Sequence, residues 1–229
     1  MIIEQLTLLT NQLEETRHFY TKVFPFELVD QGDSHFTVKV GQTLLTFQYK
    51  QSETDPFYHF TFNIPENKFA EAVEWASTKV DFAEEVGEIV YDCVEWNSHS
   101  VYFYDPAGNI VEFIARHNLN NAVNHPFSPK DFLYVSEVGV VTSDIHAIVH
   151  QLNELGIPSW NAEENFNPVG DEHGLFIIVK EGRRWLYSNK NAHFYDVKAT
   201  VKGLGTLCFE QDGDQVVIRR SSSNVIYST

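Results

Sequence analysis

Apolar and polar residues alternate with period two in three short runs. These are "QLTLLT" from Gln5, "HFTFNI" from His59 and "EVGVVT" from Glu137. Apolar residues at helical spacing follow each run: Leu13, Tyr20, Val23 and Phe24 after the first, then Phe69, Val73, Ala76 and Val80 behind Pro65 after the second. Ile145, Ile148, Val149, Leu152 and Leu155 follow the third, with Gly156 and Pro158 as stop signals. Strand-like segments come next: "FELVDQG", "HFTVKV" and "TLLTFQYK" in the first unit, "EIVYDCVEW", "SVYFYD" and "NIVEFIA" in the second. The order strand, helix, three strands is thus predicted twice within residues 1–117. A less regular third unit is predicted over 132–229, with strands at "LFIIVK", "RRWLYS" and "DVKATVKG" and a hairpin turning at Asp212-Gly213-Asp214. The polar, proline-bearing stretch 118–131 reads as a linker. The expected class is α+β.

The alternation also sorts the side chains. Leu6 and Leu8, Phe60 and Phe62, and Val138 and Val140 lie on faces that should pack under the helices. The opposite faces carry Gln5 and Thr7, then His59, Thr61 and Asn63, then Glu137. In "SVYFYDPAGNIVEF" the turn Asp105-Pro106-Ala107-Gly108-Asn109 joins two strands. Val111 and Phe113 take the helix side, so Glu112 falls on the polar face with Tyr102 as its cross-strand neighbour. One polar sheet face is usually solvated. Ionisable groups at matching positions of successive repeats point instead to a lined cavity.

Composition narrows the function classes. The 229 residues include 18 Phe, 10 Tyr and 4 Trp, enough for a substantial core. Sixteen basic against 32 acidic residues give a formal charge of −16, with no local basic cluster, which disfavours nucleic acid and anionic membrane as partners. Cys93 and Cys208 have no metal-like spacing and suit a reducing compartment. No leader pattern or run of membrane-spanning length occurs, so a soluble, cytoplasmic protein is expected. No nucleophile elbow and no phosphate-binding glycine loop is present.

Two segments, "LEETRHFYTKVFPFELV" and "YFYDPAGNIVEF", together with the internal repeat, resemble the vicinal oxygen chelate superfamily. That group contains glyoxalase I, extradiol dioxygenases, fosfomycin-resistance enzymes and bleomycin-resistance binding proteins. The resemblance covers residues 1 to about 117 well and the third unit more loosely. It implies repeated βαβββ modules whose curved mixed sheets enclose a cavity, here two paired modules plus a third. It also implies that metal ligands come from the first and last strands of the modules. Those positions correspond to Gln5, His59 and Glu112, with a further one near Leu45 to Phe47.

His59 and Glu112 are suitable donors for Zn²⁺, Ni²⁺, Mn²⁺ or Fe²⁺, whereas Gln5 is a weak neutral one and "QTLLTFQY" adds no carboxylate. The dioxygenase triad asks for two histidines, and none of His18, His35, His99 and His117 falls at a ligand position. Other readings stay open. His59 can be a satisfied pocket histidine, Glu112 an acceptor for a ligand or for Tyr102, and Gln5 plain polar lining. Glu137 repeats the ligand position but has no second donor nearby, and reads as a solvated strand residue. Asp171-Glu172-His173 between Gly170 and Gly174 reads as a turn. Arg183 or Arg184 can offer a guanidinium to a carboxylate or phosphate, although a turn and a basic strand explain them as well.

Two functions remain. One is a metal-dependent, glyoxalase-like enzyme of lyase, isomerase or transferase type acting on a small oxygen-bearing substrate. Glu112 would be its base, and Tyr102, Thr7, Thr61 and Asn63 would line the substrate cavity. The other is a protein without metal or other cofactor that sequesters a small ligand in the bleomycin-resistance manner. An odd number of modules further suggests a homodimer in which two third units complete each other.

Overall fold

The computed structural model describes residues 1–51, 54–160 and 163–221. The first unit contains β1 (Ile3–Thr10), α1 (Leu13–His18), β2 (Glu27–Gly32), β3 (His35–Val40) and β4 (Thr43–Tyr49). Here α1 runs on as a π-helical turn over Phe19–Val23. The second contains β5 (His59–Ile64), α2 (Phe69–Ser77), β6 (Val90–Cys93), β7 (Ser98–Tyr104) and β8 (Ile110–Arg116). The third begins with β9 (Tyr134–Thr142), α3 (Ile145–Glu154), β10 (Phe166–Asp171) and β11 (Gly174–Lys180). Its remainder is β12 (Val197–Val201), β13 (Gly205–Asp212) and β14 (Gln215–Ser221).

These strands form two seven-stranded mixed sheets. The first has the order β14-β13-β12-β1-β4-β3-β2 and the second β10-β11-β9-β5-β8-β7-β6. The repeat predicted over 1–117 is present, but its two units do not pair with each other. The second unit pairs with the third through β5 and β9, and the first pairs with the chain's last strands through β1 and β12. Sequence repetition counts modules; it carries no information on which exposed edges meet. The third unit therefore has its partner in the same chain, which removes the motive for completing it through a dimer. The final hairpin, β13–β14, belongs to the first sheet and not to the third unit's own.

Two further differences are local. "RRWLYS" forms no strand. Trp185 and Tyr187 are both buried on a loop, and Tyr187 has a φ of 50°, outside the extended region. The sequence pattern predicts no strand at β10, because Pro168 and Gly170 within it carry turn character. Within Asp171-Glu172-His173, Asp171 closes β10 and Glu172-His173 form the tight turn to β11, as the flanking glycines suggest.

The apolar faces of the two sheets merge in one core. Phe47 of β4 stacks on Tyr20 with centroids 5.0 Å apart and meets Phe60 of β5 at 6.3 Å. Thr43 ties the sheets at one end, donating to the Ile3 carbonyl (2.8 Å) and accepting from the Val135 amide (3.0 Å). The two segments that carry the family resemblance also touch. Tyr20 donates to Asp105 at 2.8 Å, and the same carboxylate accepts from the Asn109 amide and side chain, closing the Asp105–Asn109 turn. With the apolar faces turned inward, each sheet presents its other face outward.

Candidate metal centre

On the outer face of the second sheet, β5 lies between β8 and β9. Thr61 is opposite Glu112 on one side and Glu137 on the other, and His59 precedes it by two residues on the same face. A bulge at Ser136 prepares this. The pairs Thr61–Glu137 and Phe62–Val135 skip Ser136, so Val135 and Val138 both enter the core while Glu137 is aimed into the cavity. His59, Glu112 and Glu137 are 7%, 3% and 3% exposed. The His59 Nε2 atom is 3.5 Å from Glu112 Oε2 and 3.7 Å from Glu137 Oε2, and one donor atom of each residue lies within 4.8 Å of the others.

The polarity of each atom can be worked out. His59 Nδ1 sits 3.2 Å from the Ile110 carbonyl, which can only accept, so Nδ1 carries the proton and Nε2 turns its lone pair toward the carboxylates. Glu112 accepts from Thr61 at 2.8 Å, with the Ser100 and Tyr102 hydroxyls also acting on its carboxylate. Burial and the charges of Glu112 and Glu137 hold the Tyr102 phenol well above its usual range, so it stays a donor. Glu137 accepts from the Arg116 guanidinium. Three lone pairs thus converge with no donor among themselves, an arrangement that asks for a proton or a cation between them. The pull toward a proton shows in the pKa shifts of Glu112 and His59. Burial, and next the Glu137 charge, push Glu112 up to about 7. Burial disfavours the charged His59 ring, but Glu137, Glu112 and the Ile110 carbonyl outweigh it and raise its pKa.

The donor set fits a divalent cation. Spacings of 3.5 and 3.7 Å are within what two ligands of one ion can span with bonds of about 2.1 Å. One imidazole and two carboxylates suit Mn²⁺, Fe²⁺ or Zn²⁺. Relative to the sequence reading, His59 and Glu112 are together. Gln5 is not: it is exposed on β1 of the first sheet, and Glu137 of the third unit takes the third place. Glu137 is therefore a buried group and not the solvated strand residue expected. The signal was its alignment with His59 in the repeat; the missing information was that units two and three share a sheet. Thr7 stands beside Gln5 on the first sheet. Thr61 and Asn63 are fully buried beneath the cavity, Thr61 bonded to Glu112, while Tyr102 lines it. The position near Leu45 to Phe47 also belongs to the first sheet.

Above the cluster is a cavity of about 260 Å³ walled by Tyr91, Trp96, Tyr102, Phe166 and Trp185. The loop over residues 181–192 roofs it. Trp185 comes within 5.3 Å of the His59 ring, centroid to centroid, in space left by Gly139, where a Cβ would meet Trp185 at 2.6 Å. Glu85 pins this loop by pairing with Arg184 and accepting from the Tyr187 amide at 2.7 Å, and Lys190 reaches the Gly108 carbonyl at 2.5 Å. Arg183 lines the cavity mouth with its guanidinium over the Phe166 ring at 5.0 Å. Of the two arginines singled out, Arg184 is thus structural.

Comparison with known proteins agrees with this architecture. Residues 2–113 match the family description Glyoxalase/Bleomycin resistance protein/Dioxygenase superfamily, and residues 135–184 match that of Toxoflavin-degrading enzyme. Among solved structures, a protein described as a dioxygenase from Bacillus subtilis subsp. subtilis str. 168 aligns with TM-score 0.56 and 17% identity over 78% of this chain and 63% of its own. A variant of glyoxalase I from Zea mays aligns with TM-score 0.50 and 14% identity over 78% of this chain and 66% of its own. The chain thus spans just under two thirds of the length of each, and at these identities the likeness is one of fold. No match was found among curated proteins. Among the described residues, no helix is long and apolar enough to cross a membrane.

Proposed function

Because the chain belongs to the glyoxalase/bleomycin resistance protein/dioxygenase superfamily, we infer that it is a metal-dependent enzyme acting on a small, flat, oxygen-bearing molecule held in the second-sheet cavity. The observation that carries this reading is the convergence of His59, Glu112 and Glu137 from three neighbouring strands into one buried group. A divalent cation there would supply Lewis acidity toward a pair of neighbouring substrate oxygens. The chain's own contribution is orientation and proton handling. The Ile110 carbonyl fixes the His59 tautomer, and the aromatic walls favour a planar ligand. Glu112, with a pKa of about 7 before any ion binds, is the group placed to take a proton from the ligand. The match of residues 135–184 to a toxoflavin-degrading enzyme supports a small-molecule substrate. The free Cys93 and Cys208 are in keeping with a reducing, cytoplasmic setting.

A second reading has its own support. By the parallel pairing of β9 with β11, the position in the third unit that corresponds to Glu112 is Ile177, an apolar residue lining the cavity. A three-donor site with one apolar corner also suits a protein that binds an aromatic ligand without metal. The deciding experiment is metal content of protein purified without a chelating tag, alongside His59→Ala and Glu112→Gln. Near-stoichiometric Mn, Fe, Zn or Ni that both substitutions remove supports the enzyme. A chain that takes up none of these ions on incubation, yet binds small aromatics, overturns it in favour of sequestration.

A further inference from the structure

Among the described residues, Arg116 is the largest fully buried side chain, at 0% exposure. It follows Glu112 and Ile114 on the same face of β8, and its guanidinium reaches past β5 to Glu137 on β9. Only Nη2 is engaged there, on Glu137 Oε1, while the other oxygen, Oε2, faces His59. Among the described residues, Nε and Nη1 have no hydrogen-bond partner. The guanidinium carbon lies over Trp96, 5.0 Å from the ring centroid, and Trp96 forms part of the cavity wall. A buried arginine with one carboxylate and two idle nitrogens is a poor device for stability, since well-packed apolar residues commonly serve as well. Its contacts instead link a candidate ligand to the cavity wall.

We propose that Arg116 is a positioning residue for Glu137. By holding Oε1 it keeps Oε2 turned to the point where His59 and Glu112 converge, and by its cation–π contact with Trp96 it registers the cavity wall to that point. The proposal rests on the metal-centre reading above. Two effects of the guanidinium oppose each other. Its grip preorganises the ligand, and partners of this kind commonly change metal affinity by roughly 10–100-fold. Its positive charge disfavours a second cation nearby. Lysine separates the two effects, because it keeps the charge and loses the planar fork.

The test is Mn²⁺ titration of the full chain by calorimetry, with circular dichroism as the check on folding. The set is wild type, Arg116→Met, Arg116→Lys, Glu137→Gln and the double variant Arg116→Met/Glu137→Gln. Positioning predicts Mn²⁺ binding weakened by about 10–100-fold in Arg116→Met and by less in Arg116→Lys. In the Glu137→Gln background, Arg116→Met should add no further loss, which a generally loosened fold would not reproduce. Should Arg116→Met fail to fold, the lysine and double variants still carry the comparison, the double variant leaving no buried charge unpaired. Wild-type binding with equal or tighter binding in Arg116→Met overturns the proposal and leaves the metal centre standing. A wild type that binds no Mn²⁺, Zn²⁺ or Fe²⁺ overturns both.

Discussion

The two sheets are built on one plan and end differently. In the first, β1 lies between β12 and β4; in the second, β5 lies between β9 and β8. The registers superimpose position by position. Thr7 is opposite Thr46 and Lys198, as Thr61 is opposite Glu112 and Glu137, and Gln5 precedes Thr7 as His59 precedes Thr61. Imidazole, carboxylate and carboxylate in the second sheet thus correspond to amide, hydroxyl and ammonium in the first. Lys198 puts a positive charge where Glu137 puts a negative one, and Gln5 and Lys198 are exposed while their counterparts are buried. Beside Gln5 stands Thr200, whereas beside His59 stands Gly139, which admits the Trp185 ring. One scaffold therefore carries a roofed, acidic, aromatic-walled cavity on one sheet and a polar face with exposed Gln5 and Lys198 on the other. Ligand chemistry in this fold is a property of three or four side chains and a roof, with the backbone common to both.

The sharpest way to break this contrast is to remove its ligands. His59→Ala and Glu112→Gln should each abolish stoichiometric ion uptake, while Glu137→Gln, whose amide oxygen remains a weak donor, should leave weakened but measurable binding; each is a larger loss than the roughly 10–100-fold expected from an outer-shell change. Gln5→Ala and Lys198→Ala, at the matching places of the first sheet, should leave uptake unchanged by elemental analysis. Equal losses from both sets would mean that the correspondence has no functional content.

Next in size is the joint between the halves. Tyr20→Phe deletes a hydrogen bond from the first unit's helix to the buried Asp105 of the second sheet's turn. It should cost about 1–3 kcal/mol in denaturant unfolding. Gly139→Ala should be comparable, about 1–3 kcal/mol, and should alter tryptophan fluorescence as Trp185 is pushed off His59. Unchanged emission would contradict the packing described.

Smaller, and specific to the second sheet, is a pH effect. Glu112 titrates near 7 in the folded, ion-free chain, above the 4.5 of a free glutamate. The folded state thus holds a proton the unfolded chain has lost, and between about 4.5 and 7 stability should fall as pH rises. His59, also raised, acts in the same direction: its stabilisation is present in acid and lost as pH passes its folded pKa. Asp105, raised by burial, adds a slope of its own, so the informative quantity is the difference between wild type and Glu112→Gln in chelator-treated protein. Thermal melts from pH 5 to 8 should agree best for the two proteins toward the acid end, where glutamine stands in for the protonated carboxyl, and diverge toward the alkaline end if Glu112 carries the effect. Saturation with Mn²⁺, which binds the deprotonated ligands, should flatten the wild-type slope.

How much of this could be read from the chain depends on whether the deciding interaction is local. Period-two alternation placed β1, β5 and β9, helical spacing placed α1, α2 and α3, and the Asp105–Asn109 turn put Tyr102 opposite Glu112. Each is decided by residues within a few positions of one another, so the sequence by itself determined the modules, their faces and the candidacy of His59 and Glu112. Which modules share a sheet was decided by contacts across the fold, among them the Ser136 bulge and the Thr43 tie to Val135. That choice exchanged Gln5 for Glu137 and brought Arg116 beneath the cluster and Trp185 over it. Edge pairing is settled by which buried surfaces fit together, and a repeat whose units all carry similar apolar faces leaves that question to the tertiary structure.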